Sequence, residues 1–274
     1  MAENGHPELL LGKQTPLVAQ YSPGLLYPLR RAEGRQALGL DSELPFSGCD
    51  HWHAYELSWL GENGRPEVRV GRFSIPAESA CMVESKSFKL YLNSLNNSVF
   101  TSEDAFAATV ITDLAGVVGA EVELQLFEPD SSALAGLQVQ GACLDTLTPR
   151  VVPDTPEQGL LQVVEDTVSD EVLYSHLLRS LCPVTGQPDW ATVWLRYSGK
   201  ALERTSLLTY LLAYRNHPEF HEQCVERMFY DIQQVAQPER LEVQAFYTRR
   251  GGLDISPYRT SEATGQPLPR LNRQ

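Results

Sequence analysis

An α+β protein built from a duplicated module is the fold class this sequence predicts, and three observations predict it. Segments with the two-residue alternation of strands are interleaved with segments of helical spacing. One constant offset lays the second half of the chain over the first without a gap. Under it Ser87 falls on Ser206, Tyr91 on Tyr210, Leu92 on Leu211, Asn97 on Asn216, Glu103 on Glu222, Glu123 on Glu242, Gln125 on Gln244 and Phe127 on Phe246. The order helix, helix, strand also falls in register, so each copy reads as β-β-α-α-β-β. At 274 residues the chain exceeds a typical single core, which agrees with two units.

Residues 1–45 are rich in Leu, Gly and Pro without periodicity and read as an extended arm draped over the body. The first module is expected over 46–148. It begins with Cys49, Asp50, His51 and His53, then alternates as a strand over 54–60 and, beyond the turn at Gly61 to Gly64, as a second over 66–76. His51 and His53 project to one side of a strand, but no second ligand pair follows at a usual spacing, so a zinc site is not expected. A helix is expected over 83–96, with Phe88, Leu92 and Leu95 on one face. Thr101 to Asp104 caps a second helix running to about Val118. Residues 121–127 alternate as a strand, another strand lies within 136–144, and the three prolines of 149–159 mark a linker.

The second module is expected over 160–274. Strands are predicted at 163–172 and 189–198, a helix at 206–214, and a new helix after Asn216 and Pro218 that buries Val225, Met228, Phe229 and Ile232. Residues 240–248 form a last strand, and Arg249 to Gly252 turns out of it.

Composition excludes several functions. A net charge of −13 argues against a nucleic-acid backbone as partner, since neutralising phosphates needs clustered Lys and Arg. No apolar run approaches the length of a membrane span. The five cysteines are odd in number, show no C-x-x-C and follow no signal peptide, which reads as free thiols in the cytoplasm.

The chemistry concentrates on the stretch from Leu181 to Trp190. Pro183, Gly186 and Pro188 make it a stiff loop, and the loop holds Cys182 near Asp189. A thiol with a carboxylate beside it is the minimum kit for a nucleophilic cysteine and its proton carrier, although an intracellular cysteine is more often a small core residue. Lys86 and Lys89 open a helix against its dipole, which an anionic partner would explain as well as plain solvation does. Glu222 lies in the first turn of its helix, where the positive helix end should lower its pKa and keep it ionised, suited to paired N–H donors of a guanine-like base. Simple helix-start charge is the alternative for Glu222, and a satisfied polar histidine the alternative for His221. The lysine pair occurs only in the first copy, and the Cys-Asp loop and His221-Glu222 only in the second. That splitting predicts a composite site where the copies meet.

Taken together, Glu84-Ser85-Lys86-Ser87-Phe88-Lys89-Leu90-Tyr91, the Cys182-Pro183 to Pro188-Asp189 loop, Phe220-His221-Glu222 and Tyr247-Thr248-Arg249-Arg250-Gly251-Gly252 resemble the NADPH-dependent 7-cyano-7-deazaguanine reductases (QueF type) of queuosine biosynthesis, in their long two-module form. The similarity runs from about Leu38 to Tyr258. It implies tandem tunnelling-fold (T-fold) modules whose antiparallel sheets and paired helices assemble into a barrel, a homodimer, and reduction of a nitrile to a primary amine with two NADPH. It implies Cys182 as nucleophile, Asp189 as proton relay and His221 as second acid. Glu84, Ser85 and Glu222 would hold the substrate, and Ser85, Lys86, Lys89, Arg249 and Arg250 would serve the cofactor. No G-x-G-x-x-G or strand-helix dinucleotide unit is present, so NADPH follows from the resemblance alone. Two other readings stay open at this point: a purine- or pterin-transforming hydrolase on the same fold, which needs a zinc site, and a silent ligand-binding module.

Overall fold

Each helix pair has a sequence reason to form and a sheet face to cover. In the computed structural model, which describes residues 18, 20–40 and 43–274, β1 (Pro28–Arg30) and α1 (Arg31–Ala37) come first. There follow β2 (Ser47–Leu60), β3 (Pro66–Pro76), β4 (Cys81–Val83), α2 (Ser85–Ser94), α3 (Glu103–Val118), β5 (Glu123–Phe127) and β6 (Ala142–Cys143). The second half holds β7 (Val163–Leu181), β8 (Pro188–Leu202), α4 (Arg204–Ala213), α5 (His221–Ala236), β9 (Arg240–Tyr247) and β10 (Leu253–Thr260).

The repeat reaches down to single hydrogen bonds. Glu84 caps α2 by accepting from the backbone N–H of Lys86 and Ser87, and Glu203 caps α4 from Thr205 and Ser206. Both pairs stand at the offset that relates the copies, and both satisfy N–H groups that a helix start leaves orphaned. The Ser87 hydroxyl donates to the Glu84 carbonyl, and the Ser206 hydroxyl to that of Glu203. Buried Tyr91 donates to Asp113, and Tyr210 donates to Asp231. Helix α3 starts on the Ser102 side chain and ends at Gly119, whose φ of 71° suits a residue without Cβ. Its buried residues, Phe106, Val110, Leu114 and Val118, recur every four positions.

Strand β3 matches its expected bounds, whereas other expectations need revision. β2 already begins at Ser47, and β7 is a long strand whose pairing with β8 shifts register three times. The strand sought within 136–144 shrinks to β6, parallel to β7. The expected arm over 1–45 lies partly outside the described residues; its described part is not merely extended, because it contains β1 and α1, with Arg31 and Arg35 buried. The largest omission is β10. Its polar Asp254, Ser256 and Arg259 hide its burial, and Pro257 cannot donate to a ladder. All eight residues are nevertheless buried.

β10 is the strand that joins the halves. It pairs with β2 from Leu253–Ala54 to Thr260–Ser47, and with β9 from Tyr258 onward, giving one eight-stranded sheet in the order β5-β3-β2-β10-β9-β8-β7-β6. Helices α2 and α3 pack on β2 and β3 through Trp52, Phe73, Phe88 and Phe106. Helices α4 and α5 pack on β7, β8 and β9 through Val193, Leu195, Tyr210, Phe229 and Val243. A smaller cluster of Trp194, Phe246, Val139 and Leu271 gathers apart from these two.

Where the halves meet, charges are buried. Arg259 of β10 is fully buried and reaches Asp50 of β2 at 2.8 Å and Glu226 of α5 at 2.8 Å. Arg31 pairs with Asp50 at 2.5 Å, and Arg35 with Glu226 at 2.8 Å. Burial alone would raise the pKa of Asp50 and of Glu226, but the guanidinium groups outweigh it and hold both carboxyls below their usual range. Deleting one partner of such a network leaves a buried charge uncompensated. Arg259→Ala is therefore expected to cost about 3–5 kcal/mol of unfolding free energy, read as a fall in the urea midpoint. A midpoint equal to the parent's would show that the junction does not depend on this residue.

Candidate functional site

The loop between β7 and β8 folds tightly because Leu181 pairs with Pro188 across it. The Cys182 N–H donates to Gln187 O at 2.9 Å, and the Gly186 N–H donates back to Cys182 O at 2.9 Å. Gly186 has a φ of 65°, which a side chain would oppose. Leu181 also exchanges backbone hydrogen bonds with His217 and Glu219, so the loop is tied to the segment that leads into α5. Glu219 braces that segment against Arg227 at 2.7 Å. Cys182 is thereby placed beside the first turn of α5.

A cavity of about 210 Å³ opens there. The first copy lines it with Glu84, Ser85, Lys86 and Lys89 at the start of α2. The second lines it with Cys182, Asp189, His221, Glu222 and Arg250. Trp52 of β2 and Leu253 and Ile255 of β10 supply apolar surface. Residues of both halves thus line one cavity within a single chain.

Asp189 is held from two sides. Arg250 Nη1 donates to it at 2.7 Å, and His221 Nε2 lies 3.3 Å away. Burial alone would raise its pKa, but His221 and Arg250 more than offset that and hold the carboxyl below its usual range. The His221 ring stacks on Tyr247 with centroids 3.7 Å apart, which fixes the imidazole plane facing the carboxylate. In the sequence Tyr247 opens the motif that runs to Gly252 at the end of a strand, but nothing in that pattern gives it the part of a stacking partner for His221.

Glu222 departs from its expected behaviour. Its place in the first turn of α5 predicted a lowered pKa, yet burial, and then the charge of Asp50, push it up to about 6. Desolvation outweighs the helix end because the carboxyl is almost fully enclosed. Glu84 is buried as well, and burial raises its pKa against the two backbone N–H groups it accepts from, at 2.8 and 2.7 Å. That cap also bears on why lysines are tolerated at this helix start: the Glu84 carboxylate lies on the first N–H groups and offsets their positive end.

The cations divide. Lys89 Nζ donates to Gly251 O at 2.5 Å and lies 3.4 Å from Glu56, at the cavity's edge with Lys86. Arg250 is committed to Asp189 and to Gln187. Arg249 does not line the cavity: its guanidinium rests 3.4 Å from the ring centroid of Tyr55. The residues first considered for zinc are also dispersed, with Asp50 bound to arginines and His53 to Asp254 at 2.9 Å. Among the described residues, no group of His, Cys, Asp and Glu is placed to hold a metal.

A pocket that gathers a thiol, a carboxylate–imidazole pair and two further buried carboxyls on an α+β scaffold has the make-up of an enzyme site. Comparison with known proteins gives the class its particular member. Residues 17–126 match the family described as nitrile reductase, 7-cyano-7-deazaguanine-reductase N-term, and residues 188–266 match the QueF-like protein family. An NADPH-dependent 7-cyano-7-deazaguanine reductase of Chromohalobacter salexigens is 50% identical over 266 residues, covering 96% of each chain. One from Acinetobacter baumannii is 49% identical over 267 residues, covering 97% of this chain and 98% of the other. The solved apo structure of the archaeosine synthase QueF-Like is 17% identical, with a TM-score of 0.33, over 37% of this chain and all of that one. The chain belongs to the NADPH-dependent 7-cyano-7-deazaguanine reductase family.

The grip on Asp189 is testable by itself. Removing the guanidinium in Arg250→Ala leaves burial less opposed, so the Asp189 carboxyl should titrate at higher pH than in the parent. Carbon NMR of labelled aspartate reads this directly, and an unmoved or lowered midpoint would show that Arg250 does not set its ionisation.

Proposed function

We propose that the protein reduces 7-cyano-7-deazaguanine to its 7-aminomethyl product at the cavity between the copies, through a covalent thioimide on Cys182. The observation that carries this reading is the convergence of Cys182, Asp189, His221 and Glu222 on one enclosed pocket. Glu222, aided by Glu84 and Ser85 on the opposite wall, accepts the paired N–H groups of the base edge, and Trp52 packs against the flat ring. The nitrile then points toward Cys182. Sulfur adds to the nitrile carbon while the thiol proton passes by way of Asp189 to the nitrogen, giving C(=NH)–S. Asp189 suits a relay because His221 and Arg250 hold it ionised and ready to accept that proton.

NADPH, when bound, supplies a hydride to that carbon twice, from two molecules. After the first, Cys182 leaves as the thiolate and an imine remains. After the second, one proton completes the primary amine and one returns to the Cys182 thiolate, His221 and Asp189 delivering both from solvent. Lys86 and Lys89 fit the cofactor's phosphates, since both ammonium-bearing chains stand on the cavity wall. Arg250 contributes to the site through Asp189, and Arg249, outside the cavity, is left out of the cofactor set.

The same reading extends to assembly. Helices on one face of a sheet made of two alike halves support tandem T-fold modules, with the first module over 46–148, the linker over 149–159 and the second module over 160–274. β5 ends the sheet on one side, and on the other only Leu173 and Tyr174 of β7 are covered by β6. Such edges favour closure onto a second copy into a barrel, hence a homodimer. The described residues include no helix long and apolar enough to cross a membrane. With five free cysteines this supports a cytoplasmic enzyme that meets the base as a small molecule.

Mixing enzyme and nitrile without NADPH should produce a new ultraviolet band from the thioimide, and NADPH should be oxidised only when the nitrile is present. Cys182→Ala should lose both band and turnover, while Asp189→Asn should bind the nitrile yet turn over about 10²–10⁴-fold more slowly. Parent-like NADPH consumption in the alanine variant would overturn the covalent route.

Lys86→Ala/Lys89→Ala separates cofactor from substrate. Each lost phosphate contact is worth about 1.5–3 kcal/mol before screening, so the KM for NADPH should rise steeply at low salt. The ultraviolet band with nitrile alone should survive. A folded double variant that loses the band but keeps its NADPH affinity would assign the lysines to the base instead.

A further inference from the structure

The buried charges at the junction do not balance until Glu222 is counted among them. Three guanidinium groups, those of Arg31, Arg35 and Arg259, face two carboxylates, Asp50 and Glu226. Glu226 accepts from Arg35 and Arg259, and Asp50 from Arg31 and Arg259. The surplus charge sits at Arg31. Its Nη1 is buried with no hydrogen-bond partner and lies 3.7 Å from Glu226 Oε1. Its other nitrogens are used, Nε on Ser79 and Nη2 on Asp50.

Helix geometry places the missing negative charge. Glu222 and Glu226 are four apart on α5 and so share a face, as Arg31 and Arg35 do on α1. The two helices touch, since a Cβ on Gly34 would collide with the Gln223 side chain at 2.3 Å. Arg35 and Glu226 close one rung between them at 2.8 Å. The same spacing sets Arg31 toward Glu222, near enough to favour its charge, while the Glu222 side chain lines the cavity.

We propose that Arg31 is a positioning residue for substrate binding: its buried guanidinium is the counter-charge that keeps Glu222 an anion able to accept the base. The proposal rests on the reading of Glu222 as base anchor. The groups that face Glu222 are His221 and Glu226 on its own helix, Asp50 on β2, Arg31 on α1 and Glu84 across the cavity, with Arg259 and Arg35 tied into the same network. Asp50 opposes the anion, while Arg31 and His221 favour it, and the carboxyl accordingly titrates at about 6. The carboxylate is the accepting form, so binding should be fully developed above that pH and weaken as pH falls through it. Removing Arg31 leaves Asp50 and Glu226 less opposed and moves the midpoint up. Removing Asp50 moves it down.

The test is the dissociation constant of the nitrile against pH, measured by calorimetry in a Cys182→Ala background so that no adduct forms. Arg31→Gln should raise the midpoint by about one pH unit or more, giving about fivefold weaker binding at pH 6 but binding within about twofold of the parent near pH 9. Asp50→Asn should lower the midpoint, and Arg31→Lys should stay close to the parent. A purely structural Arg31 would weaken binding equally at every pH, and that result, or a lysine variant shifted as far as the glutamine one, would overturn the proposal. Glu222→Gln distinguishes the two levels. Unchanged binding in that variant means the base anchor is misassigned; weakened binding there with immobile midpoints in the other variants means only Arg31's part is wrong.

Discussion

Arg259 is the interaction on which the rest of the structure depends. It comes from β10 and lies fully buried between Asp50 of the first copy and Glu226 of the second. A guanidinium offers a rigid fork of donors, so it can satisfy two carboxylates from different elements at fixed angles. Hydrophobic packing at the same place could hold the halves together equally well, because desolvating ions is costly. It would not fix their register in the same way. Here the register matters, since the cavity is divided between the start of α2 and the start of α5, and a slip of the copies would separate the lysines from the thiol.

The duplication clarifies what is scaffold and what is chemistry. The capping carboxylates Glu84 and Glu203, the hydroxyls of Ser87 and Ser206, and the buried Tyr–Asp pairs recur in both halves. They belong to the module. At the second helix start the copies part: α3 is capped by Ser102, while the matching position opens α5 with His221, next to Glu222. Glu84 belongs to both accounts, because only in the first copy does the shared cap border the cavity. One repeated framework thus carries unequal sets of polar groups, and the unequal sets meet on one side of the sheet junction.

Within the cavity two carboxyls are driven in opposite directions by their surroundings. Asp189 has His221 and Arg250 close by and is held down; Glu222 is enclosed, has Asp50 nearby, and is pushed up. Separation of this kind lets one carboxyl shuttle protons while another serves as acceptor for a ligand. It arises from how each group is buried and which charges lie near it, not from the side chains themselves.

Local pattern determined much of this protein. The alternation over β3, the four-residue spacing of Phe106, Val110, Leu114 and Val118, and the proline-bounded cysteine loop each specify their element through neighbours close in the chain. The sequence divides Lys86 and Lys89 from Cys182, Asp189, His221 and Glu222 between the two copies, and these residues line one cavity. Tertiary structure alone decided the rest. β10 carries Asp254, Ser256, Pro257 and Arg259, a composition that reads as exposed until partners from β2 and α5 satisfy it. Arg31 and Arg35 look like ordinary surface charges until α1 lays them against α5. Arg249 and Arg250, adjacent in sequence, go to Tyr55 and to Asp189. The helix position of Glu222 does not set its ionisation, because desolvation and the charge of Asp50, distant along the chain, depend on how the halves are brought together.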